Sequence, residues 1–117
     1  MALTTFYFEA SFPAHADFLE PLRELARQVL VYSGFPAVES NEIAGDLQTA
    51  VADGLPEAAS DEHMTIRFER DAERLAIELA ALHFGAVAPT VGLVDDVIVT
   101  RRGGHRAFRV VRRLPAA

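Results

Sequence analysis

Two hydrophobic periods follow one another along this chain, and their order restricts the fold more than any other feature. Between Asp17 and Leu55 apolar residues recur at intervals of three and four; before and after that stretch they alternate at every second position. The first spacing draws one apolar stripe down a helix, and the second puts one apolar face on a strand. From about Asp17 to Ser33 the stripe is Phe18, Leu22, Leu25, Val29 and Tyr32, with Leu19, Ala26 and Leu30 beside it. Asp17 is placed to cap this helix and Pro21 falls in its first turn, where a missing amide proton costs least. Gly34 ends the helix, and Phe35-Pro36 turns the chain into a second one, 37–55, with core positions Ile43, Leu47, Ala50, Val51 and Gly54.

The flanking segments read as strands. In 3–12, Phe6, Phe8 and Ala10 alternate with Tyr7, Glu9 and Ser11. Met64, Ile66 and Phe68 mark one face of 64–69, and Leu75, Ile77 and Leu79 mark one face of 75–80, around a charged turn at 70–74. A final hairpin joins 96–100 to 107–112 around Arg101-Arg102-Gly103-Gly104-His105. Gly85, Pro89 and Gly92 interrupt 82–96, which holds at most one short helix near 89–95. Adjacent strands with helices grouped between them predict an α+β two-layer sandwich. The expected sheet is mixed but mostly antiparallel, with about five strands, and carries the two long helices and the short one on one face.

At 117 residues the chain is one domain, 1–117, large enough for a core. It has no cysteine, which excludes disulfides, thiolate metal sites and a cysteine nucleophile. No stretch approaches the roughly 18 apolar residues that span a bilayer, and no charged region precedes an apolar one in Met1–Thr5. A soluble, cytoplasmic protein is expected, with no membrane partner. The net charge of −6 is unevenly spread: residues 1–62 hold 11 acids and two arginines, whereas 63–117 hold six acids and nine arginines. Lysine is absent, and six arginines (Arg101, Arg102, Arg106, Arg109, Arg112, Arg113) fall in the last 17 residues. No base-stacking aromatic motif accompanies them, so nucleic acid is not expected as a partner. The cluster either decorates an exposed sheet edge or turn or offers a patch to an acidic partner protein.

Asp53 and Glu57 lie four residues apart at the polar end of the second helix. A carboxylate pair at that spacing can bind a divalent metal, relay a proton, or be solvated charge. Pro56 places the end of the regular helix near Leu55. His15, His63, His83 and His105 sit on separate segments, and none pairs at a metal-ligand spacing. No catalytic residue can be named from the spacing of nucleophiles, bases or acids.

The order of elements, together with two segments, resembles the anti-sigma-factor serine kinases of the histidine-kinase-like (GHKL) ATPase superfamily. The first segment is Gly34-Phe35 with 42–55; the second is 93–99 with Phe108-Arg109-Val110-Val111-Arg112. The likeness covers nearly the whole chain. It implies that Asp53 and Glu57 stand where the family has an acidic residue and, four positions on, a magnesium-ligating asparagine. Ala81-Leu82-His83-Phe84-Gly85 stands where the family has an aspartate that binds adenine, followed by two alternating glycines, and only Gly85 matches. Ala81 cannot accept the adenine hydrogen bond, and His83 would plug the pocket. The glycine-containing lid is reduced to 85–92, and Arg106 replaces a threonine. Asp53, Glu57, Ala81, His83, Gly85 and Arg106 are then vestigial pocket positions, with no cofactor and no metal expected.

The resemblance therefore implies a regulatory binding module without catalysis. Its partner would be a sigma factor, an anti-sigma antagonist or a second copy of itself, because in the family the first strand and first helix help to form a homodimer. The alternative is an ATP-dependent serine kinase with a rearranged pocket that uses Mg-ATP, with Asp53 and Glu57 as the metal positions.

Overall fold

A computed structural model describes residues 5–13, 15–54, 63–80, 96–102 and 105–114, with 53, 54, 96–102 and 105–108 described by their backbone alone. The elements are β1 (Phe6–Pro13), α1 (Leu19–Tyr32), α2 (Ala37–Gly54), β2 (His63–Arg70), β3 (Arg74–Ala80), β4 (Asp96–Arg102) and β5 (His105–Arg113). The α+β class follows from the sequence as expected. The short helix expected at 89–95 lies outside the described residues.

The five strands form one sheet in the order β1-β2-β3-β5-β4. All four pairings are antiparallel, so among the described residues the expected mixed sheet is an antiparallel one. The connectivity explains this. Two long helices between β1 and β2 carry the chain along the sheet and back, so β2 starts at the end where β1 finished and runs against it. The remaining described neighbours are the hairpins β2–β3 and β4–β5, and β5 returns to pair with β3.

The helices cover one face. Leu22, Ala26 and Leu30 of α1 and Ile43, Ala44, Leu47 and Val51 of α2 join Met64, Ile66, Phe68, Leu75, Ile77, Leu79 and Val110 of the sheet in one buried cluster. In α2 Ile43, Leu47, Ala50 and Val51 are buried as the spacing predicts. In α1 the deepest line is Leu22–Ala26–Leu30, one position round from the predicted stripe; Leu25 and Val29 are only partly buried, and Tyr32 is 64% exposed. That rotation turns Leu25, Val29 and Tyr32 toward β1, where Phe6 meets Tyr32 with ring centroids 6.3 Å apart.

Asp17 does not cap α1. It lies within a short 3-10 turn, Ala16–Phe18, and its own amide N–H donates to His15 Nδ1 at 3.1 Å, so His15 caps that turn, while α1 follows from Phe18, whose side chain makes no capping hydrogen bond. On the outward side of α1, hydrogen bonds from Arg27 and Gln28 hold the exposed Glu24 carboxyl at about 2, well below its ordinary value. The first strand, expected over 3–12, runs from Phe6 and ends at Pro13, opposite His63, an edge position where a residue without an N–H is tolerated.

The turn between the helices closes as the sequence suggests. The Gly34 N–H donates to the Val31 carbonyl at 3.0 Å and the Phe35 N–H to the Leu30 carbonyl at 3.1 Å, the pair of bonds that satisfies the last carbonyls of a helix. Gly34 has φ +101°, and a Cβ there would meet nothing within 4 Å. The penalty for a side chain is therefore one of backbone conformation alone. Gly34→Ala is expected to cost about 1 kcal/mol, read as a lower urea midpoint with an unchanged slope.

Candidate binding surfaces

Strand alternation leaves a second face, away from the helices. On it the register lines up four charges across four neighbouring strands: Glu9 lies opposite Arg67, Arg67 opposite Glu78, and Glu78 opposite Arg109. The signs alternate, as cross-strand pairing favours. Arg67 Nε donates to Glu9 Oε2 and its Nη1 to Glu78 Oε1, both at 2.7 Å. Arg109 approaches Glu78 Oε2 at 4.0 Å and Glu69 Oε2 at 3.4 Å. The side chain of Glu78 is only 6% exposed, because the two arginines lie over it. The hydrogen bond that Arg67 donates to Glu9, followed by that to Glu78, raises the pKa of its guanidinium against the opposing effect of its partial burial.

The two carboxylates of this row are held by guanidiniums. Among the described residues no group of three His, Asp or Glu side chains is placed to hold a metal ion. The row stiffens the central sheet and fixes its register.

The row also relocates part of the arginine cluster. Arg109, Arg112 and Arg113 belong to β5, an interior strand between β3 and β4, and so do not decorate a sheet edge. Arg112 reaches the helix layer, with its guanidinium 5.9 Å from the Phe35 ring centroid and 3.6 Å from Glu39 Oε2. The last hairpin is tighter than expected, because Arg101 pairs with Arg106 and Arg102 with His105, which adds these four residues to the strands.

β1 forms one edge of the sheet. It has eight residues, and among the described residues only β2 pairs with it. Edge strands are commonly guarded by lysine, proline or inward charge. Between Phe6 and Phe12 the single charge is Glu9, already bound to Arg67 and to the Tyr7 hydroxyl, which donates to Glu9 Oε2 at 3.0 Å. Beside this edge runs an apolar groove of about 450 Å³, lined by Phe6, Phe8, Leu25, Gln28, Val29 and Tyr32. Tyr7 is 60% and Phe8 42% exposed. The groove was not legible in the sequence because it depends on the rotation of α1. The exposed aromatic alternation of β1 was the one available signal.

The positions singled out through the family resemblance are not brought together by any described contact. Asp53 lies in the last turn of α2 and Arg106 near the start of β5 opposite Arg101, each placed by its backbone. Glu57, Ala81, His83 and Gly85 lie outside the described residues. No helix among the described residues is long and apolar enough to cross a membrane. The sequence matches no protein-family model and no curated protein.

Proposed function

We propose that this chain is a non-catalytic regulatory module that binds protein, resembling an anti-sigma factor of the histidine-kinase-like fold, and that its first partner is a second copy of itself. The observation that carries this reading is the β1 edge, with which only β2 pairs among the described residues, beside an apolar groove. Phe6, Phe8 and Tyr32 offer apolar surface along that edge. A two-fold arrangement pairs β1 with its copy, extends the sheet across the interface and covers both grooves. A sigma factor or an anti-sigma antagonist is the partner class that the family resemblance adds. ATP has no part in this reading, because Glu57, Ala81 and Arg106 replace the family's ligand types and the lid is short.

Light scattering over a range of concentrations tests it. The mass is expected to rise toward twice that of the chain, and Tyr32→Glu, at a solvent-facing groove position, is expected to hold the protein at the monomer mass. A wild-type protein that stays monomeric at every concentration would contradict self-pairing. Titration with magnesium and ATP is expected to give no binding at millimolar nucleotide. Tight binding, or phosphate transfer to an antagonist protein, would establish the kinase instead.

A further inference from the structure

At the end of the sheet where β2 and β5 finish and β3 begins lies a groove of about 1250 Å³ lined by Arg70, Arg74, Arg109, Arg112 and Arg113. The sequence separates these residues by up to 43 positions, and the antiparallel register brings them to one end of the sheet, Arg70 and Arg112 on the face of Leu75 and Arg74, Arg109 and Arg113 on the other. Arg74 lies directly opposite Arg113, and Arg70 and Arg112 flank Leu75 on either side. Like charges facing each other across strands destabilise a sheet. Arg113 is engaged within the chain, so the charge of this pair that is open to an outside anion is that of Arg74.

Part of this charge is already matched. Arg109 is paired with Glu69 and Arg112 with Glu39. Among the described residues Arg70 and Arg74 form no side-chain ion pair or hydrogen bond, and the Arg70 Nε is buried without a hydrogen-bond partner. The two carboxylates in the groove do not fill the gap. Glu69 serves Arg109, and Asp71 Oδ1 is taken up by the backbone N–H groups of Glu73 at 2.7 Å and Arg74 at 2.8 Å, which lower the Asp71 pKa, with the Arg74 guanidinium charge adding a smaller attraction and no side-chain contact.

We propose that this groove receives an acidic, partly apolar segment of a partner protein. Guanidiniums in a fork geometry bind carboxylates through paired charged hydrogen bonds. The groove exceeds the roughly 300–1,000 Å³ of ordinary small-molecule pockets and therefore suits a length of chain. Its lining also includes Phe6, Ala76 and Val111, which would meet apolar side chains interspersed with the acids. The resident carboxylates Glu69 and Asp71 act against a dense polyphosphate, whose charge they would repel. The inference shares with the preceding one only the class of ligand, protein, and does not require two copies to pair.

The test uses the full chain and a short fluorescein-labelled peptide alternating Glu or Asp with Leu, read by anisotropy. Binding is expected to weaken steeply with salt and to be absent for the same peptide with lysine in place of the acids. The double variant Arg70→Ser/Arg74→Ser is expected to lose at least about tenfold in affinity, as removal of charged interface hydrogen bonds does. Because Arg74 is exposed, Arg74→Glu alone provides a variant that keeps its fold and is also expected to weaken binding. No binding by the wild type, equal binding of the lysine peptide, or unchanged affinity in both variants would overturn the proposal. Displacement by tripolyphosphate at concentrations below those of unlabelled peptide would also overturn it, in favour of a phosphate site. Running the same titration on Tyr32→Glu separates the two readings: a monomer that still binds the peptide retains this site even if self-pairing is absent.

Discussion

Arg67→Met is expected to lower the unfolding free energy by about 3 kcal/mol, the cost of leaving a buried carboxylate without its principal partner. The residue it strands is Glu78, which sits in the middle of β3 with a side chain 6% exposed. Arg109 remains, but at 4.0 Å it is a distant replacement for a donor at 2.7 Å. The more informative measurement is the double variant Arg67→Met/Glu78→Leu. Replacing a buried pair by apolar residues of similar volume is often neutral, so the double variant is expected to recover to within about 1 kcal/mol of the wild type. Urea unfolding of the two variants and of Glu78→Leu alone closes the cycle. A loss for Arg67→Met below about 1 kcal/mol would mean that the pair behaves as a surface one.

Phe68→Ala is expected to be costlier, at about 4 kcal/mol. Phe68 is fully buried on β2, which has β1 on one side and β3 on the other, and its ring stacks on Phe8 with centroids 5.8 Å apart. Removing the ring opens a cavity between the sheet and the helices and takes away the surface on which Phe8 rests. Against a typical total stability of roughly 5–15 kcal/mol, a loss of that size brings thermal unfolding down by many degrees. Phe68→Leu retains most of the volume and is expected to lose less than half as much. Equal melting temperatures for Phe68→Ala and the wild type would contradict the central place given to this side chain.

The elements were legible because each rests on local repetition. Ile43, Leu47 and Val51 make a helix face without knowledge of any other residue, and Met64, Ile66 and Phe68 make a strand face in the same way. What was not legible depends on how segments meet. Glu78 in Leu75-Ala76-Ile77-Glu78-Leu79 reads as one polar position of an alternating strand; only the register shows it between Arg67 and Arg109. The arginines of the groove look like a C-terminal cluster in the sequence, yet two of the five, Arg70 and Arg74, come from a different hairpin. Capping failed at Asp17 for a similar reason. A 3-10 turn, Ala16–Phe18, capped by His15, precedes α1, so the expected cap became an internal residue of that turn. The family-implied pocket positions depend on 55–62 and 81–95, which lie outside the described residues.

The strand order also bears on how the chain reaches its native state. β2 with β3 and β4 with β5 are joined by short turns, and α1 with α2 by a helical corner, so each can form from neighbouring residues. β1 is different: Phe6 pairs with Arg70 and Pro13 with His63, across both helices. Closing so long an intervening chain is entropically slow relative to hairpin and helix formation. β1 is therefore the strand to dock last, and until it docks, β2 is a bare edge that a neighbouring molecule's β1 fits as well as its own. Refolding at high protein concentration should then yield strand-exchanged species absent from dilute refolding, and pulsed amide exchange should find β1 protected after β2 and β3.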